Sequence, residues 1–159
     1  MNEMSEFDYI VSSPLGPLGL CIRDESIATL RYIEESVSLK RPRNGLGREV
    51  YSQLQAYFKG PNFEFDLPLA GEGTVFQKRV WKQLCKIKPG ATQTYGQVAS
   101  KLRSGPRAVG NACRHNPIVL VVPCHRVVRA DGLGGYAGRM GINHVVARKR
   151  WLLEHEGSL

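Results

Sequence analysis

The sequence predicts an α+β fold, in which a small antiparallel αβ domain, residues 1–72, precedes a mainly helical domain, residues 73–159. Short apolar runs separated by turn residues fill the beginning of the chain, and helical periodicity dominates after residue 73. The balance of charge reverses at the same boundary. Residues 1–72 hold 7 Lys and Arg against 11 Asp and Glu, whereas residues 73–159 hold 15 against 3.

The first domain begins with three runs that favour β-structure, Phe7–Val11, Leu18–Arg23 and Ile27–Ile33. Turn residues separate them, so we predict an antiparallel meander. Arg48–Lys59 is predicted to form a helix, because its apolar residues recur on one face. The alternating pattern of Phe63–Leu67 predicts one more strand.

The second domain is predicted to hold four helices, each introduced by residues typical of a helix start. They are Val75–Lys86 after the N-cap Thr74, Tyr95–Leu102 after Thr94, Arg107–Arg114 with Pro106 at its first position, and a last helix from about Asn143 to Glu156. The short turn Arg103–Gly105 joins the second helix to the third. Two short helices joined in this way are the helix-turn-helix pattern, and an ordinary helical hairpin is the alternative.

The second helix of this pair is the candidate for reading nucleic acid. Arg107 and Arg114 are seven residues apart and so lie on one face. The small residues Ala108, Gly110 and Ala112 between them permit a close backbone approach. From residue 73 to residue 153 the only acid is Asp131. A basic half of this kind is typical of a polyanion-binding protein, and DNA is the favoured partner.

A possible nucleophile follows an apolar run. Val119–Val122 is predicted to be a short buried strand that Pro123 ends, and Cys124 and His125 come next. A cysteine attacks as its thiolate, which a nearby base or cation favours. Neighbours in an extended segment point to opposite sides, so a direct contact between the two side chains is not assured and a bridging water is the expected link. Glu156 is either solvent-exposed or the carboxylate that orients His125.

Composition excludes several other classes of protein. The four cysteines show no CxxC pairing, which argues against a zinc ribbon or a disulfide framework and favours a reducing, cytoplasmic setting. No apolar run is long enough to cross a membrane, so no membrane partner is expected.

Several motifs together resemble one family, the O6-alkylguanine-DNA alkyltransferases, also called methylated-DNA–protein-cysteine methyltransferases. The resemblance covers residues 74–157 in detail. Residues 1–72 fit only in outline, as the family's small RNase-H-like domain, and the helix-turn-helix would be of the winged-helix type. The motifs are Thr94-Tyr95-Gly96, Pro106-Arg107-Ala108-Val109-Gly110, Asn116-Pro117, Pro123-Cys124-His125-Arg126-Val127, Gly135-Tyr136-Ala137-Gly138 and Trp151-Leu152-Leu153-Glu154-His155-Glu156.

The resemblance implies a role for each site residue. Cys124 would accept the alkyl group, His125 would act as base through a water, Glu156 would hold His125, and Asn116 would tie the helix-turn-helix to the active-site segment. On DNA, Tyr95 would help rotate the target nucleotide and donate to guanine, Arg107 would fill the vacated space, and Ala108, Gly110 and Arg114 would lie along the minor groove. Pro117, Tyr136 and the Val127 carbonyl would line the substrate pocket.

The same resemblance implies a single-use protein that repairs O6-alkylguanine in double-stranded DNA, and O4-alkylthymine less well. It would be a monomer and would need no cofactor and no metal. Three alternatives remain: a non-catalytic binder of alkyl lesions, a cysteine hydrolase acting on small molecules, and a DNA-binding regulator. The segment Arg139–Arg148 is longer than in the common bacterial form and could alter the tolerance for bulky alkyl groups.

Overall fold

The chain up to Glu72 builds a three-stranded antiparallel sheet and one helix, in a computed structural model that describes residues 6–135 and 143–159. The strands are β1 (Tyr9–Val11), β2 (Leu18–Arg23) and β3 (Ser26–Tyr32), in the order β1-β2-β3. On β2, Leu20 lies opposite Tyr9 of β1 and Leu30 of β3. The predicted meander is therefore confirmed, as is the α+β fold class.

Helix α1 (Gly45–Lys59) supplies apolar side chains to the core of this first unit. It buries Val50, Leu54 and Tyr57, which share one face, and it begins three residues before the predicted start. Gly19 lies in the middle strand directly beneath Phe7, and a Cβ there would come within 2.5 Å of the Phe7 ring. The close approach of this ring to the backbone therefore requires glycine.

The strand predicted for Phe63–Leu67 is wrong. The Gln53 side chain accepts a hydrogen bond from Asp66 N at 2.9 Å and donates one to Asp66 O at 3.0 Å. The backbone there thus pairs with a side chain of α1 and not with a neighbouring strand. Phe65 packs against Tyr57 of α1, with their ring centroids 5.3 Å apart. The alternating pattern reflects aromatic packing of an irregular segment.

The second unit, residues 73–159, contains the four predicted helices, with somewhat different ends. They are α2 (Val75–Leu84), α3 (Tyr95–Leu102), α4 (Pro106–Arg114) and α5 (Asn143–His155). Thr74 and Thr94 each form a capping box, with Gln77 and Gln97 respectively. None of the helices among the described residues is long and apolar enough to cross a membrane.

The helix-turn-helix pair packs on α2. Trp81 of α2 is buried and donates from Nε1 to the Ala112 carbonyl of α4 at 2.9 Å. Val80 and Leu84 of α2 and Val109 of α4 are fully buried. A short parallel pair that was not predicted, β4 (Gln93–Thr94) and β5 (Val127–Val128), joins the start of α3 to the segment that follows Cys124.

The predicted strand Val119–Val122 is a buried series of turns. Val121 N donates to Val119 O at 2.8 Å and Val122 N to Ile118 O at 3.1 Å, so these backbone groups bond within the segment. Leu120 has a φ of 72°, a left-handed conformation that a non-glycine residue rarely adopts. All four side chains are buried, so the predicted burial of this run is confirmed. The predicted strand is wrong.

Candidate active site

Cys124 opens a short 3-10 helix, Cys124–Arg126, and its side chain is buried. The extended segment predicted for Cys124 and His125 is therefore wrong. Pro123 precedes this turn, and Cys124 N donates to Val122 O at 2.8 Å. The buried turns before it and β5 after it fix the position of the thiol from both sides.

Asn116 connects the end of α4 to the thiol. Its Nδ2 donates to Val122 O at 2.9 Å and lies 3.2 Å from Cys124 Sγ, and its Oδ1 accepts from Ile118 N at 3.0 Å. Asn116 comes two residues after α4 ends at Arg114. One side chain thus holds the buried turns in shape and contacts the reactive sulfur.

His125 and Glu156 form a buried pair, with His125 Nε2 2.8 Å from Glu156 Oε2. Both side chains are removed from water, so the exposed alternative for Glu156 is excluded. Arg126 binds the same carboxylate in a bidentate manner, from Nε to Oε1 at 2.9 Å and from Nη2 to Oε2 at 3.0 Å. Its Nη1 also donates to the Ile87 carbonyl at 2.6 Å.

Burial and pairing set the resting charges of these groups. Burial raises the pKa of the Cys124 thiol, although the Asn116 hydrogen bond and the Lys149 charge partly oppose this. Burial lowers the pKa of His125, against the opposing effect of Glu156. Burial alone would raise the pKa of Glu156, but the hydrogen bonds and charges of His125 and Arg126 prevail and hold it well below its usual range. The resting site therefore contains a neutral thiol, a neutral imidazole and a carboxylate anion.

Tyr95 lies at the first position of α3, between α4 and the glycine-rich loop that follows β5. A Cβ on Gly110 of α4 would lie 3.8 Å from the Tyr95 ring, and one on Gly134 would lie 3.0 Å from its hydroxyl. Burial raises the pKa of Tyr95, and nearby Cys113 and Cys124 add to that rise. The phenol therefore stays protonated close to the sulfur, as a hydrogen-bond donor.

Lys149 of α5 reaches the same region. Its side chain is fully buried, and Nζ donates to the Val127 carbonyl at 2.7 Å and to the Gly135 carbonyl at 2.9 Å. The ammonium lies 5.8 Å from the centroid of the Tyr95 ring. A positive charge is therefore built into the interior of the site.

The structure thus brings together Cys124, His125, Glu156, Asn116 and Tyr95, as the resemblance implies. The other predicted residues have different positions. Arg107, Ala108 and Arg114 lie on the exposed face of α4, whereas Gly110 and Pro117 are half-buried and Val127 is fully buried. Tyr136 and residues 139–142 of the segment Arg139–Arg148 fall outside the described residues.

Arg126 and Lys149 were missed by the sequence reasoning. Arg126 immediately follows His125, and a cation next to a proposed histidine–carboxylate pair was a usable signal. Lys149 stands between Arg148 and Arg150 in a basic run, and nothing in that run marks it as the buried member. Only the packing of α5 against the Cys124 segment reveals its position.

This arrangement supports nucleophilic chemistry at sulfur. A carboxylate only accepts hydrogen bonds, so His125 Nε2 carries the ring hydrogen and Nδ1 keeps the lone pair that can take a proton. The imidazolium that forms would be stabilised by Glu156. No group of three His, Cys, Asp or Glu side chains able to hold a metal ion occurs within the part of the chain that the structure describes.

Comparison with known proteins identifies relatives across most of the chain. The sequence model of the 6-O-methylguanine DNA methyltransferase DNA-binding domain matches residues 75–158, and that of the ribonuclease-like domain of the same methyltransferase matches residues 9–70. The methylated-DNA–protein-cysteine methyltransferase of Mycobacterium tuberculosis is 44% identical over 155 residues, which is 93% of this chain and 90% of the relative.

Solved structures that resemble this chain include those of the same methyltransferase. The crystal structure of the M. tuberculosis O6-methylguanine methyltransferase matches with a TM-score of 0.79 at 40% identity, covering 94% of this chain and 92% of the other. The crystal structure of M. tuberculosis OGT in complex with DNA matches with a TM-score of 0.77 at 40% identity, covering 94% and 91%.

Proposed function

The chain belongs to the 6-O-methylguanine DNA methyltransferase family, and we propose that it repairs DNA by moving the alkyl group from O6 of guanine to its own Cys124. The observation that supports this most strongly is the buried set of Cys124, His125 and Glu156, in which His125 Nε2 lies 2.8 Å from the carboxylate. It supplies an acceptor, a base and a group that orients the base.

The reaction is an exchange at the alkyl carbon. The Cys124 proton passes to Nδ1 of His125, through a bridging water, as the sulfur attacks. The carbon–sulfur bond forms while the carbon–O6 bond breaks, and guanine takes the electron pair on O6. The proton then returns to guanine, so the products are unmodified guanine and a thioether. Because the resting thiol is neutral, the base must act during the attack.

Arg126 and the base His125 bind the same carboxylate, that of Glu156. The two hydrogen bonds of Arg126 keep Glu156 ionised and take up part of the negative charge that His125 would otherwise feel. Burial lowers the pKa of His125 and the Arg126 charge adds to that effect, so the imidazole is neutral at neutral pH and can accept a proton. In this proposal Tyr95, whose raised pKa keeps its phenol protonated, donates to guanine as negative charge develops on the leaving base.

Access to O6 requires the nucleotide to leave the base stack, at a cost of a few kcal/mol. We assign the exposed face of α4 to the minor groove, where Ala108 and Gly110 allow a close approach and Arg107 fills the space left by the base. Minor-groove contacts distinguish sequences poorly, which suits a protein that must search all DNA. Arg114, seven residues from Arg107, would contact the backbone on the same face.

A thioether is stable, so each chain acts once, and the chemistry consumes no cofactor. This gives a direct test. A fixed amount of protein is mixed with increasing amounts of a duplex that carries one O6-methylguanine, and the intact mass is measured. We expect a single adduct of one CH₂ group whose yield stops at one per chain. Turnover of many lesions per chain, or no adduct at saturating duplex, would disprove the proposal.

A further inference from the structure

The turn between α3 and α4 contains an arginine in a backbone conformation that favours glycine. Arg103 ends α3 with a φ of 54° and a ψ of 48°, which is the left-handed region. Helices commonly end on glycine in this conformation, because a Cβ there lies too close to the following carbonyl oxygen. Arg103 N donates to Ser100 O at 3.3 Å and Ser104 N to Ala99 O at 2.9 Å, bonds that a glycine would also form. The arginine side chain is therefore kept at this position at a cost in stability.

A second arginine lies at the same helix end. Arg79 of α2 donates from Nη2 to the carbonyl of Leu102, the residue before Arg103, at 3.4 Å. This contact leaves other N–H groups of the Arg79 guanidinium available. Both arginines are exposed, and neither pairs with a carboxylate among the described residues. Two cations at one helix end therefore lack a counter-charge in the protein, and they attract an anion.

The end of α3 lies next to the surface that we assign to DNA. Arg103 comes three residues before α4 begins at Pro106, and residues 103–108 are all exposed. Arg107 and Ala108 belong to the minor-groove face of α4. Phosphates line both sides of that groove, so a duplex on α4 brings phosphates close to the preceding turn. A guanidinium binds a phosphate with two parallel N–H groups, which suits arginine to this contact better than lysine.

We propose that Arg79 and Arg103 form a phosphate-binding pair at the end of α3, which anchors the backbone of the duplex while α4 lies in the minor groove. The inference rests on the proposed function in DNA repair. Phosphate contacts fix the register and orientation of a protein on DNA without reading its sequence. The pair thus sets the position of α4, and with it Arg107, relative to the damaged nucleotide. The unfavourable backbone of Arg103 is accepted because it carries a guanidinium on the turn itself.

Two replacements separate the Arg103 side chain from its backbone conformation. Arg103→Gly removes the guanidinium and relieves the strain, whereas Arg103→Ala removes the guanidinium and keeps the strain. Both variants should bind an unmodified duplex about tenfold more weakly than the wild type, which is the effect of losing one charged hydrogen-bonded contact. The melting temperature of Arg103→Gly should equal or exceed that of the wild type and should exceed that of Arg103→Ala.

The matched control is Glu25→Gly in the first unit. Glu25 is exposed, has a φ of 59° and lies in the turn between β2 and β3, so glycine relieves a similar strain there without removing a cation. Fluorescence anisotropy of a labelled duplex at several salt concentrations measures binding. A lost phosphate contact lowers the slope of the logarithm of the binding constant against the logarithm of salt concentration by about one. Both Arg103 variants should show this decrease, and Glu25→Gly should show neither the decrease nor weaker binding.

Arg79→Gln tests whether the two arginines act together. This variant should also weaken duplex binding, because glutamine lacks the charge of the guanidinium. If both arginines hold one phosphate, each single replacement already disrupts the shared contact. The variant that combines Arg79→Gln with Arg103→Gly should then lose less affinity than the product of the two single losses. A loss equal to that product would show two independent contacts and would overturn the pair.

Free O6-benzylguanine distinguishes these outcomes from a failure of the proposed function, because its reaction requires no duplex. If the wild type takes up no benzyl group, the proposed function fails. If the wild type reacts but the Arg103 variants bind the duplex as tightly as the wild type, or with the same salt slope, the phosphate contact is overturned. A melting temperature of Arg103→Gly below that of the wild type would show that the arginine stabilises the turn, which would overturn the functional explanation of its strained backbone.

Discussion

At the scale of single residues, the site is a set of buried charges that compensate one another. Glu156 accepts hydrogen bonds from His125 Nε2 and from Nε and Nη2 of Arg126. Removing any one of these three side chains leaves a buried polar group without its partner. The compensation lets a carboxylate and a guanidinium remain inside the protein while His125 stays neutral. Catalytic readiness and stability therefore depend on the same three side chains.

Replacing Glu156 with Gln tests this dependence. The Arg126 charge would be left buried without its partner, which costs about 3–5 kcal/mol of unfolding free energy. Alkyl transfer should also slow, because His125 loses the group that orients it. The matched control is Glu154→Gln, an exposed change two residues away on α5, which should alter neither property. Thermal unfolding and adduct formation measure the two effects.

The difference in unfolding free energy between the wild type and Glu156→Gln should depend on pH, because folding shifts the pKa of Glu156. Because folding lowers the pKa of Glu156 below its ordinary value of 4.5, its stabilising effect is complete above pH 4.5 and is lost as pH falls through the lowered value. The gap in stability between wild type and Glu156→Gln should therefore be constant near neutrality and should shrink in acid. A gap that widens in acid would contradict the assignment of Glu156 as the ionised partner.

Arg107 permits a second test at this scale. Arg107→Ala should slow repair of duplex DNA by at least about tenfold, because a flipped base costs a few kcal/mol that the arginine partly offsets. Reaction with free O6-benzylguanine should be nearly unchanged, since no base has to be flipped. The control is Arg150→Ala on α5. Equal losses with both substrates would show that Arg107 acts elsewhere.

The predicted residues that the structure brings together are those whose chemistry is visible in a short motif. Cys124, His125 and Glu156 are the residue types of a nucleophile, a base and an orienting acid. Arg126 and Lys149 were not identified as site residues, because arginine and lysine usually lie at the surface and a basic run does not indicate which of its cations is buried. Burial of a charge depends on what packs over it, and the local sequence does not contain that information.

At the scale of elements, the helix starts that carry a side-chain cap were predictable, whereas the start of α1 and the conformation of the apolar segments between helices were not. Thr74 and Thr94 cap their helices as expected, because an N-cap is a local hydrogen bond. Val119–Val122 and Phe63–Leu67 were expected to be strands. The first pairs within itself and with Asn116, and the second pairs with Gln53. The continuous apolar run Val119–Val122 is buried as expected, whereas the conformation of both segments depends on partners elsewhere in the chain.

Thr94→Ala tests the contribution of a single cap. Thr94 Oγ1 accepts from Gln97 N at 3.1 Å and Gln97 Oε1 accepts from Thr94 N at 2.8 Å, so the change removes one half of a capping box. The expected loss is about 1 kcal/mol of unfolding free energy. Thr92→Ala, an exposed change two residues earlier, is the control. Equal melting temperatures for the two variants would show that the cap contributes nothing.

At the scale of the whole molecule, the distribution of charge is the dominant feature. Residues 73–159 carry a net charge of +12 and residues 1–72 a net charge of −4. Arg126 and Lys149 are buried, so the remaining cations of the second unit are the ones available to phosphates. Binding driven by phosphate contacts releases counterions and is therefore sensitive to salt.

Salt dependence should accordingly separate binding from chemistry. If about four phosphates are neutralised, a fourfold rise in salt should weaken duplex binding by roughly a hundredfold, with little effect of base sequence. Reaction with free O6-benzylguanine should be almost unaffected by the same change, because its site is buried and the substrate is neutral. Fluorescence anisotropy of a labelled duplex gives the slope of the logarithm of the binding constant against the logarithm of the salt concentration. A slope near zero would contradict an electrostatic DNA interface.

The identity of the acceptor is the central claim, and one measurement tests it most directly. The protein reacts with a duplex carrying O6-methylguanine whose methyl group is labelled with ¹³C or deuterium, and proteolytic peptides are then sequenced by mass spectrometry. We predict that the labelled methyl group is found on Cys124 alone and that Cys124→Ala acquires none. Label on Cys21, Cys85 or Cys113, or labelling that persists in Cys124→Ala, would contradict the assignment of Cys124 as the acceptor.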